Sequence, residues 1–446
     1  MSSTTGASHR TRAAVWTNWA RTERVRPVRR VRPRDAAQAA DAVRAAVRDG
    51  LTVKAVGAGH SFTGAAAGHG VLVETDALAG IRTADPATGL VEVEAGTRLH
   101  ELSPLLWAHG LALPSLGDID RQAIAGAVQT GTHGTGLAWG CIASAVRGLE
   151  VVLADGTPTR CSPTERPALF EAARVGVGAF GVLTSVTLQC VPAFGIEARE
   201  EPVPLEEFLE TAEDLAAQHD HLECFWFPHT GRVLRLTKDH VPPESGLRPQ
   251  PRWRALLDDE LLPNVGLGTV CRVGAASPRR IPTLNRAVTR LMSGRAWSDR
   301  SYRVFANPRR IRFREMEYGL PVEAWRDAFA DLRRWLDTPG NQVGFPVEVR
   351  FTGGDDPWLS MSHGRRTAYL SLQTYWRQPH ARFFAAAEEI FSAYAGRPHW
   401  GKLHGMRAER LARLYPRFAD VVRVRDEVDP GRVFANPYTQ QVLGDR

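Results

Sequence analysis

The chain has 446 residues, with 56 basic and 49 acidic side chains and a formal net charge of +7. At 43% hydrophobic and 24% charged residues, it has the composition of a globular protein of two or three domains, which excludes a disordered or fibrous chain. No apolar run approaches the roughly 18 residues that a membrane span needs, so we expect no membrane span.

The N-terminal segment and the cysteines indicate the cellular compartment. Residues 1–34 are polar and arginine-rich, without the apolar stretch of a secretory signal peptide. The cysteines form no CxxC pair and are odd in number, which predicts neither a disulfide framework nor a zinc site. We therefore expect a cytoplasmic protein without a bound metal. The five cysteines are Cys141, Cys161, Cys190, Cys224 and Cys271.

Residues 27 to 195 have the pattern of an α+β domain with many short elements. An alanine-rich amphipathic helix begins at Asp35 and is ended by Gly50. The Asp155-Gly156 pair is a hairpin signal between two strands. The predicted helices span residues 35–50, 97–110 and 168–176, and the predicted strands span residues 52–57, 71–75, 90–96, 149–156 and 181–191.

From about residue 196 to 394 the composition changes, with more acidic and aromatic residues and with Pro/Arg-rich loops near 241–254 and 277–282. Strands alternate with helices, which suits an antiparallel sheet covered by helices. The tail from Arg397 onward is helical and then proline-rich. The predicted strands here span residues 222–228, 231–238, 346–353 and 367–376, and the clearest helix spans 321–337.

The stretch VKAVGAGHSF, residues 53–62, joins a strand to a glycine turn. Consecutive backbone N–H groups at residues 57–59 would form a concavity suited to phosphate. It is not a dinucleotide fingerprint, because Phe62 stands where the third glycine belongs and no helix pattern follows. The structural alternative is a glycine turn with an incidental histidine.

The stretch at residues 115–136 is rich in glycine and small hydroxyl residues and has almost no bulk. Small residues let the backbone come close to something flat or phosphorylated. A long glycine-rich loop without function is the alternative, although such loops are uncommon.

Two further stretches carry charged candidates. Glu348 and Arg350 are two apart on a predicted strand and share a face, where the alternative is a plain ion pair. Lys402 is one of only three lysines beside 53 arginines; a solvated charge is its alternative. His399 and His404 are five apart, a poor spacing for two metal ligands on one helix face.

Together, these stretches resemble the L-gulono-1,4-lactone / D-arabinono-1,4-lactone oxidases of the vanillyl-alcohol-oxidase flavoprotein superfamily, with alditol oxidase as a close relative. Six ordered motifs carry the resemblance and span residues 27 to 444. They are GAGHSF, GDIDRQAIAGAVQTGTHGTG, FREMEYGLP at 313–321, VEVRFTGGDD, RPHWGK and DPGRVFANPY at 429–438.

The resemblance implies a two-domain α+β fold. Residues 15–195 would form a PCMH-type FAD-binding domain, residues 196–395 an antiparallel-sheet substrate (cap) domain, and residues 396–446 a segment that completes the active site. It also implies FAD, linked covalently through His60. No cysteine falls within 115–136, so we expect a single link. The implied cofactor-binding residues are His60, Val56, Gly57, Ala58, Gly59, Ser61, Gly117, Asp118, Gly126, Thr130, Gly131, Thr132, His133, Gly134 and Val182.

The resemblance further assigns Lys402, Arg350 and Glu348 to catalysis. If Lys402 is desolvated beside Arg350, its pKa could fall and it could take the hydroxyl proton; otherwise it stabilises the alkoxide. Arg350 would then be the electrostatic partner and Glu348 would orient the substrate. The implied substrate-binding residues are Asp118, Glu348, Arg350, Ser371, Gln373 and Lys402.

The implied reaction is oxidation of a sugar-derived secondary alcohol, with an aldono-1,4-lactone converted to a 2-keto-lactone of the ascorbate type. Gly117, small where oxidases are small, favours O2 as acceptor and H2O2 as product. The alternatives are an alditol oxidase acting on a polyol, or a lactone dehydrogenase using another acceptor. A nucleic-acid binder is disfavoured, because +7 is dilute over this length and no recognition motif is present.

Overall fold

In the computed structural model, which describes residues 14–251, 266–306 and 311–445, the N-terminal part contains two main sheets. One is parallel, with the strand Val71–Glu74 between Arg29–Val31 and Val53–Val56. The other is antiparallel. Its strands, in spatial order, are Pro158–Cys161, Val146–Val152, Val182–Gln189, Leu90–Glu94 and Ile81–Asp85.

Helices cover these sheets where the sequence predicts them. The helix Ala36–Arg48 begins where the Asp35 side chain accepts a hydrogen bond from the Gln38 amide, and Gly50 follows its end with φ +64°. Residues 115–136, expected as loop, also contain a helix; six residues are too few to display a helical period. The other N-terminal helices are Leu99–Ala108, Ile124–Gln129 and Pro167–Arg174.

The rest of the described chain is organised around one antiparallel sheet. Its strands, in spatial order, are Arg295–Arg300, Gly195–Pro204, Arg232–Val241, His221–Trp226, Val347–Thr352, Thr367–Tyr375, Phe313–Pro321 and Arg397–Pro398. Its helices are Leu205–Gln218, Leu267–Ala276, Ile281–Leu291, Ser301–Phe305, Trp325–Asp337 and Ala381–Ala393. The C-terminal helices are Ala408–Leu414, Phe418–Val428 and Pro437–Leu443.

Two predictions differ from the structure, and part of a third lies outside the described residues. The helix predicted from residue 321 begins at Trp325, because Pro321 still belongs to a strand. The loop predicted at 277–282 is largely helical: Pro278–Arg280 form a 3-10 helix and the helix Ile281–Leu291 follows, with Pro282 in the first turn, where proline is tolerated. Of the loop predicted at 241–254, residues 252–254 lie outside the described residues.

The C-terminal segment is anchored on the N-terminal part. The Phe62 amide donates to the Gly401 carbonyl at 2.7 Å, and the hydroxyls of Thr63 and Tyr438 both donate to the Trp400 carbonyl. Asn436 donates to the Gly64 carbonyl at 2.7 Å. These contacts fix residues 399–405 against the glycine turn. Among the helices of the described chain, none is both long enough and apolar enough to cross a bilayer.

Candidate active site

Two adjoining cavities lie where the N-terminal sheets, the antiparallel sheet and the C-terminal segment meet. The N-terminal cavity, of about 830 Å³, is lined by residues of the N-terminal part between Trp16 and Leu183 in the sequence, among them the glycine turn. The central cavity, of about 940 Å³, lies under the antiparallel sheet. The residues that line both cavities are His60, Ser61, Gln122 and Thr130. His60 therefore stands at the junction.

The N-terminal cavity has walls of backbone and small side chains. A Cβ at Gly57 would lie 2.6 Å from the Cβ of Ala123, so the turn can pass there only as glycine. A Cβ at Gly126 would meet no atom within 4 Å, so a side chain there would enter the cavity. Within the described chain, the backbone amides of residues 58–61 donate to no other protein group. Free amides beside a flat cleft suit a phosphate-bearing ligand.

His60 is a partly buried imidazole that is uncharged at neutral pH. Its ring stacks on Trp19 with ring centres 5.6 Å apart. Burial, reinforced by Arg98 and Arg121, lowers the pKa of His60 to about 4. A neutral imidazole has a free lone pair, so His60 has the nucleophilic form that bond formation to a bound cofactor requires.

The predicted cofactor residues divide into two groups. Most line a cavity; Val56, Gly131, Gly134 and Val182 line neither. Val56 and Val182 are buried strand residues, although Gly181 and Leu183, the neighbours of Val182, line the N-terminal cavity. The predicted residues on the N-terminal cavity are Gly57, Ala58, Gly59, His60, Ser61, Gly126 and Thr130, and those on the central cavity are His60, Ser61, Gly117, Asp118, Thr130, Thr132 and His133.

Strand register places the charges of the central cavity on one face of the antiparallel sheet. Glu317, Ser371 and Glu348 lie directly opposite one another on three neighbouring strands. Arg350 lies opposite Glu223 on the next strand. Residues directly opposite, or two apart on a strand, share a face, so this side of the sheet is highly charged.

Lys402 enters this cavity from the C-terminal segment, with 17% of its side chain exposed. Its Nζ lies 2.8 Å from Glu315 Oε1 and 2.8 Å from Glu317 Oε2. Burial opposes its charge, but the two carboxylates outweigh burial and raise the pKa of Lys402 above its usual value. The expectation of a lowered pKa is therefore wrong, because the two carboxylates that pair with Lys402 outweigh its desolvation.

Ser371 and Gln373, predicted to bind substrate, both donate to Glu315. The Ser371 hydroxyl lies 2.6 Å and the Gln373 amide 3.3 Å from Glu315 Oε1. Gln373 also lines the central cavity, whereas Ser371 does not. The structure thus brings both residues to the carboxylate that holds Lys402.

Arg350 is surrounded by three carboxylates. Its guanidinium contacts Asp118 and Glu348, and its Nε lies 3.1 Å from Glu223 Oε2. Glu223 is in turn paired with the buried Lys238 at 2.5 Å. Lys238, which carried no functional signal in the sequence, therefore takes part in the site's charge balance.

Glu348 is a cavity carboxyl whose pKa is raised into the range near neutral pH. Burial, opposed by Arg350 and reinforced by Asp118 and Glu223, raises the pKa of Glu348 to about 8. Its Oε1 touches the Arg350 guanidinium but accepts no hydrogen bond of normal geometry from a described residue. Glu348 lines the cavity and can exchange a proton there.

Two buried groups have metal-ligand atoms close together within the described chain. They are His133, Glu317 and His399, and Asp118, Glu223 and Glu348. Lys402 already contacts the first group and Arg350 the second. A side-chain cation therefore occupies the position in which an ion would neutralise the carboxylates.

Sequence reasoning missed the acidic partners of the two cations. Glu315 and Glu317 lie in FREMEYGLP, and their spacing of two on a strand was the available signal. Glu223 is a carboxylate within the otherwise apolar run LECFWFP, and a charge in a buried strand requires a partner. Arg98 and Arg121, which affect His60, had no such signal.

Comparison with known proteins gives matches along nearly the whole chain. Residues 186–442 match the D-arabinono-1,4-lactone oxidase family profile, and residues 27–162 match an FAD binding domain. An L-gulono-1,4-lactone dehydrogenase of Mycobacterium tuberculosis is 39% identical, with 96% of this chain and 99% of that protein covered. An alditol oxidase of a Streptomyces species is 33% identical over 96% of this chain and 98% of its own.

A solved cholesterol oxidase from B. sterolicum has the same fold. It superposes with a TM-score of 0.79 over 96% of both chains, at 16% sequence identity. These matches confirm the predicted two-part α+β fold and FAD as the predicted cofactor.

Proposed function

This chain belongs to the D-arabinono-1,4-lactone oxidase family, and we propose that its substrate is an aldono-1,4-lactone of the L-gulono or D-arabinono type. It is an FAD-dependent oxidoreductase that acts on CH–OH groups. The observation that carries the substrate proposal is the charged sheet face of the central cavity, where Lys402 and Arg350 lie beside Glu348. A cytoplasmic location and the absence of nucleic-acid binding stay predictions from composition.

FAD fits the residues of the two cavities. The free amides of residues 58–61 and the open space at Gly126 suit its phosphates and its flat parts. His60, at the junction, would carry the covalent link, and Gly117 with Thr130, Thr132 and His133 would hold the ring system. When bound, flavin supplies a two-electron acceptor for the carbon–hydrogen bond beside the substrate hydroxyl.

Lys402 and Arg350 act on the charge that develops as this bond breaks. The hydroxyl oxygen becomes negative as its proton leaves, and this charge is lost again when the hydrogen on its carbon departs with the bonding electron pair and leaves a carbonyl group. Lys402 stays an ammonium between Glu315 and Glu317, so it donates a hydrogen bond to that oxygen and stabilises the alkoxide. Arg350 holds Asp118 and Glu348 in place at the same cavity.

The Glu348 carboxylate accepts the proton of the substrate hydroxyl. A base works best when its pKa lies near the working pH, and the pKa of Glu348, about 8, meets that condition. Lys402 cannot take the proton while it is itself protonated. Glu348 thus replaces Lys402 as base, and Lys402 keeps its alkoxide-stabilising role.

A panel of substrates tests the proposed specificity. Purified protein, reconstituted with FAD, would be reduced anaerobically with aldonolactones and with xylitol and sorbitol, following loss of flavin absorbance. We expect reduction by a lactone at a kcat/KM well above that of either polyol. A preference for the polyols would overturn the lactone proposal and support the alditol alternative.

Replacing His60 is expected to abolish covalent flavin. In His60→Ala, the nucleophilic imidazole is gone while the cavities remain, so FAD should bind without a bond. The measurement is flavin fluorescence in a denaturing gel, where only covalent cofactor stays with the band.

His404→Ala is the matched control for this substitution. His404 is also partly buried, and desolvation lowers its pKa to about 4, but it lines neither cavity. Its variant should keep a fluorescent band. Fluorescence that persisted in His60→Ala would show that the link, if any, lies elsewhere.

We propose O2 as the electron acceptor, with H2O2 as product. Gly117 supports this, because it lines the central cavity without a side chain. The two relatives differ in the electron acceptor that their names indicate, since one is called a dehydrogenase and the other an oxidase.

Gly117→Ala is expected to slow reoxidation by O2. The added Cβ would lie 3.1 Å from the His133 carbonyl oxygen and narrow the cavity there. Stopped-flow mixing of reduced protein with O2 should show a rate about tenfold lower, a barrier change of only about 1.4 kcal/mol. Reoxidation by a one-electron dye should change little. An equal loss with both acceptors would instead indicate general damage to the cavity.

A further inference from the structure

Glu317 lies between two nitrogen donors in the buried wall of the central cavity. Its Oε2 is 2.8 Å from Lys402 Nζ, and its Oε1 is 2.7 Å from His133 Nε2. Both Glu317 and His133 are almost fully buried, with side-chain exposures of 1% and 2%. The carboxylate therefore links Lys402 to His133, which both line the central cavity, and itself has little access to water.

The contacts of His133 determine where its protons lie. Its Nδ1 is 2.8 Å from the Gly134 carbonyl, which can only accept a hydrogen bond. Its Nε2 faces Glu317 Oε1, so both ring nitrogens face acceptors. Either Glu317 or Nε2 must carry the proton between them. Burial opposes ionisation of Glu317, but Lys402 and His133 outweigh it and lower its pKa well below the usual value. The proton therefore lies on His133.

We propose that Glu317 and His133 are positioning residues, with Glu317 as a shared carboxylate that keeps Lys402 an ammonium and His133 as the Nε2–H donor that fixes the orientation of Glu317. This deepens the proposed function and depends on it only for the catalytic use of Lys402. The charge state of Lys402 itself is measurable without substrate.

Besides Glu317, four ionisable groups of the described chain face Lys402. Glu315, on the same strand as Glu317, supplies the second carboxylate. Glu348 and Arg350 face it from the adjacent sheet position as an opposed pair. His399 stays neutral, because burial and then Lys402 lower its pKa well below the usual value.

Removing Glu317 takes away one of the two carboxylates that contact Lys402. In Glu317→Gln, Lys402 keeps only Glu315 and faces a neutral amide in a site that still opposes charge by burial. Loss of one adjacent carboxylate changes a pKa by roughly one to three units. The ammonium of Lys402 should therefore lose its proton at a lower pH. In His133→Gln, by contrast, both carboxylates remain and Lys402 should stay protonated.

The scarcity of lysine makes this measurable directly. With only three lysines in the chain, protein labelled with 13Cε-lysine gives three side-chain signals, which Lys54→Arg and Lys238→Arg assign. Burial, with Arg425, lowers the pKa of Lys54 to about 7, so Lys54 should titrate within the range and report that the method works. Flavin-loaded protein would be titrated from pH 6 to 10.

In wild-type protein, we expect no titration of Lys402 up to pH 10. In Glu317→Gln the Lys402 midpoint should fall into the titrated range, below pH 10, and kcat/KM should gain a matching alkaline decline. Glu388→Gln is the control: Glu388 accepts from Tyr318 and Gly405, beside the same strand and segment, but does not contact Lys402. Glu388→Gln should change neither the Lys402 titration nor the pH dependence of kcat/KM.

Two outcomes would overturn the proposal. One is an unchanged Lys402 titration in Glu317→Gln, and the other is an equal downward shift in His133→Gln. Should a variant fold poorly, Glu317→Asp keeps the charge and should restore the wild-type titration. Failure of the proposed function would look different: the signals would behave as expected while no lactone reduced the flavin.

Discussion

Lys402→Met is expected to lower kcat/KM by about 10²–10³-fold, the usual effect of removing one donor to a developing oxyanion. The substitution preserves much of the side-chain volume and removes the only ammonium that contacts Glu315 and Glu317 in the described chain. The measurement is anaerobic flavin reduction by the best lactone, with circular dichroism to verify folding.

Lys402→Arg separates the two roles that the sequence left open for Lys402. A guanidinium stays charged and cannot accept the hydroxyl proton. Activity well above that of Lys402→Met would support alkoxide stabilisation. If Glu348 is the base, kcat/KM should rise with pH near 8 as Glu348 loses its proton. This rise should persist in Lys402→Arg. If arginine and methionine were equally inactive and the pH dependence vanished, Lys402 would be the base after all.

Arg350→Met is expected to destabilise the fold by about 3–5 kcal/mol, because it leaves a buried charge cluster without its central cation. Arg350 contacts Asp118, Glu223 and Glu348, and its side chain is 8% exposed. Chemical denaturation at pH 8 would measure the loss. Arg82→Met is the matched control: Arg82 also pairs with three glutamates, but its side chain is 23% exposed, so its loss should be smaller.

The destabilisation by Arg350→Met should shrink as the pH falls. The pKa of Glu348 is already raised to about 8 by burial, and loss of Arg350 removes the main opposing charge. A carboxyl with a raised folded pKa stabilises the fold at low pH, and this contribution is lost as the pH rises through the folded pKa. Below about pH 4.5, the pKa of this carboxyl in the unfolded chain, Glu348 is protonated in both states and carries no charge for Arg350 to neutralise. A loss of equal size at pH 5 and pH 8 would show that packing, not charge, is responsible.

Most of the local structure could be predicted from the sequence. The helix at Ala36–Arg48 has a capping aspartate before it and a glycine after it, and the strands of both parts alternate or form short apolar runs. Exceptions include the helix Ile124–Gln129, whose small residues give no periodic signal, and the helix Ile281–Leu291, which begins within a predicted loop. Local patterns are visible because they depend on neighbours in sequence.

The sequence also named the candidate residues for the chemistry, through ordered motifs. His60 and Gly117 line the cavities, and Lys402, Arg350 and Glu348 meet in one of them. Residue type and order were enough to name these groups, since the chemistry of an imidazole, an ammonium or a carboxyl is intrinsic to it.

Only the tertiary structure decided their protonation. Lys402 lies 85 and 87 positions from the two carboxylates that hold it, and Arg350 lies 232 positions from Asp118. The acidity of a group depends on burial and on charges within a few ångströms, and these distances are set by sheet register and by the return of the C-terminal segment. The sequence therefore named Lys402 but misjudged its pKa, because the partners that raise it are brought together only by folding.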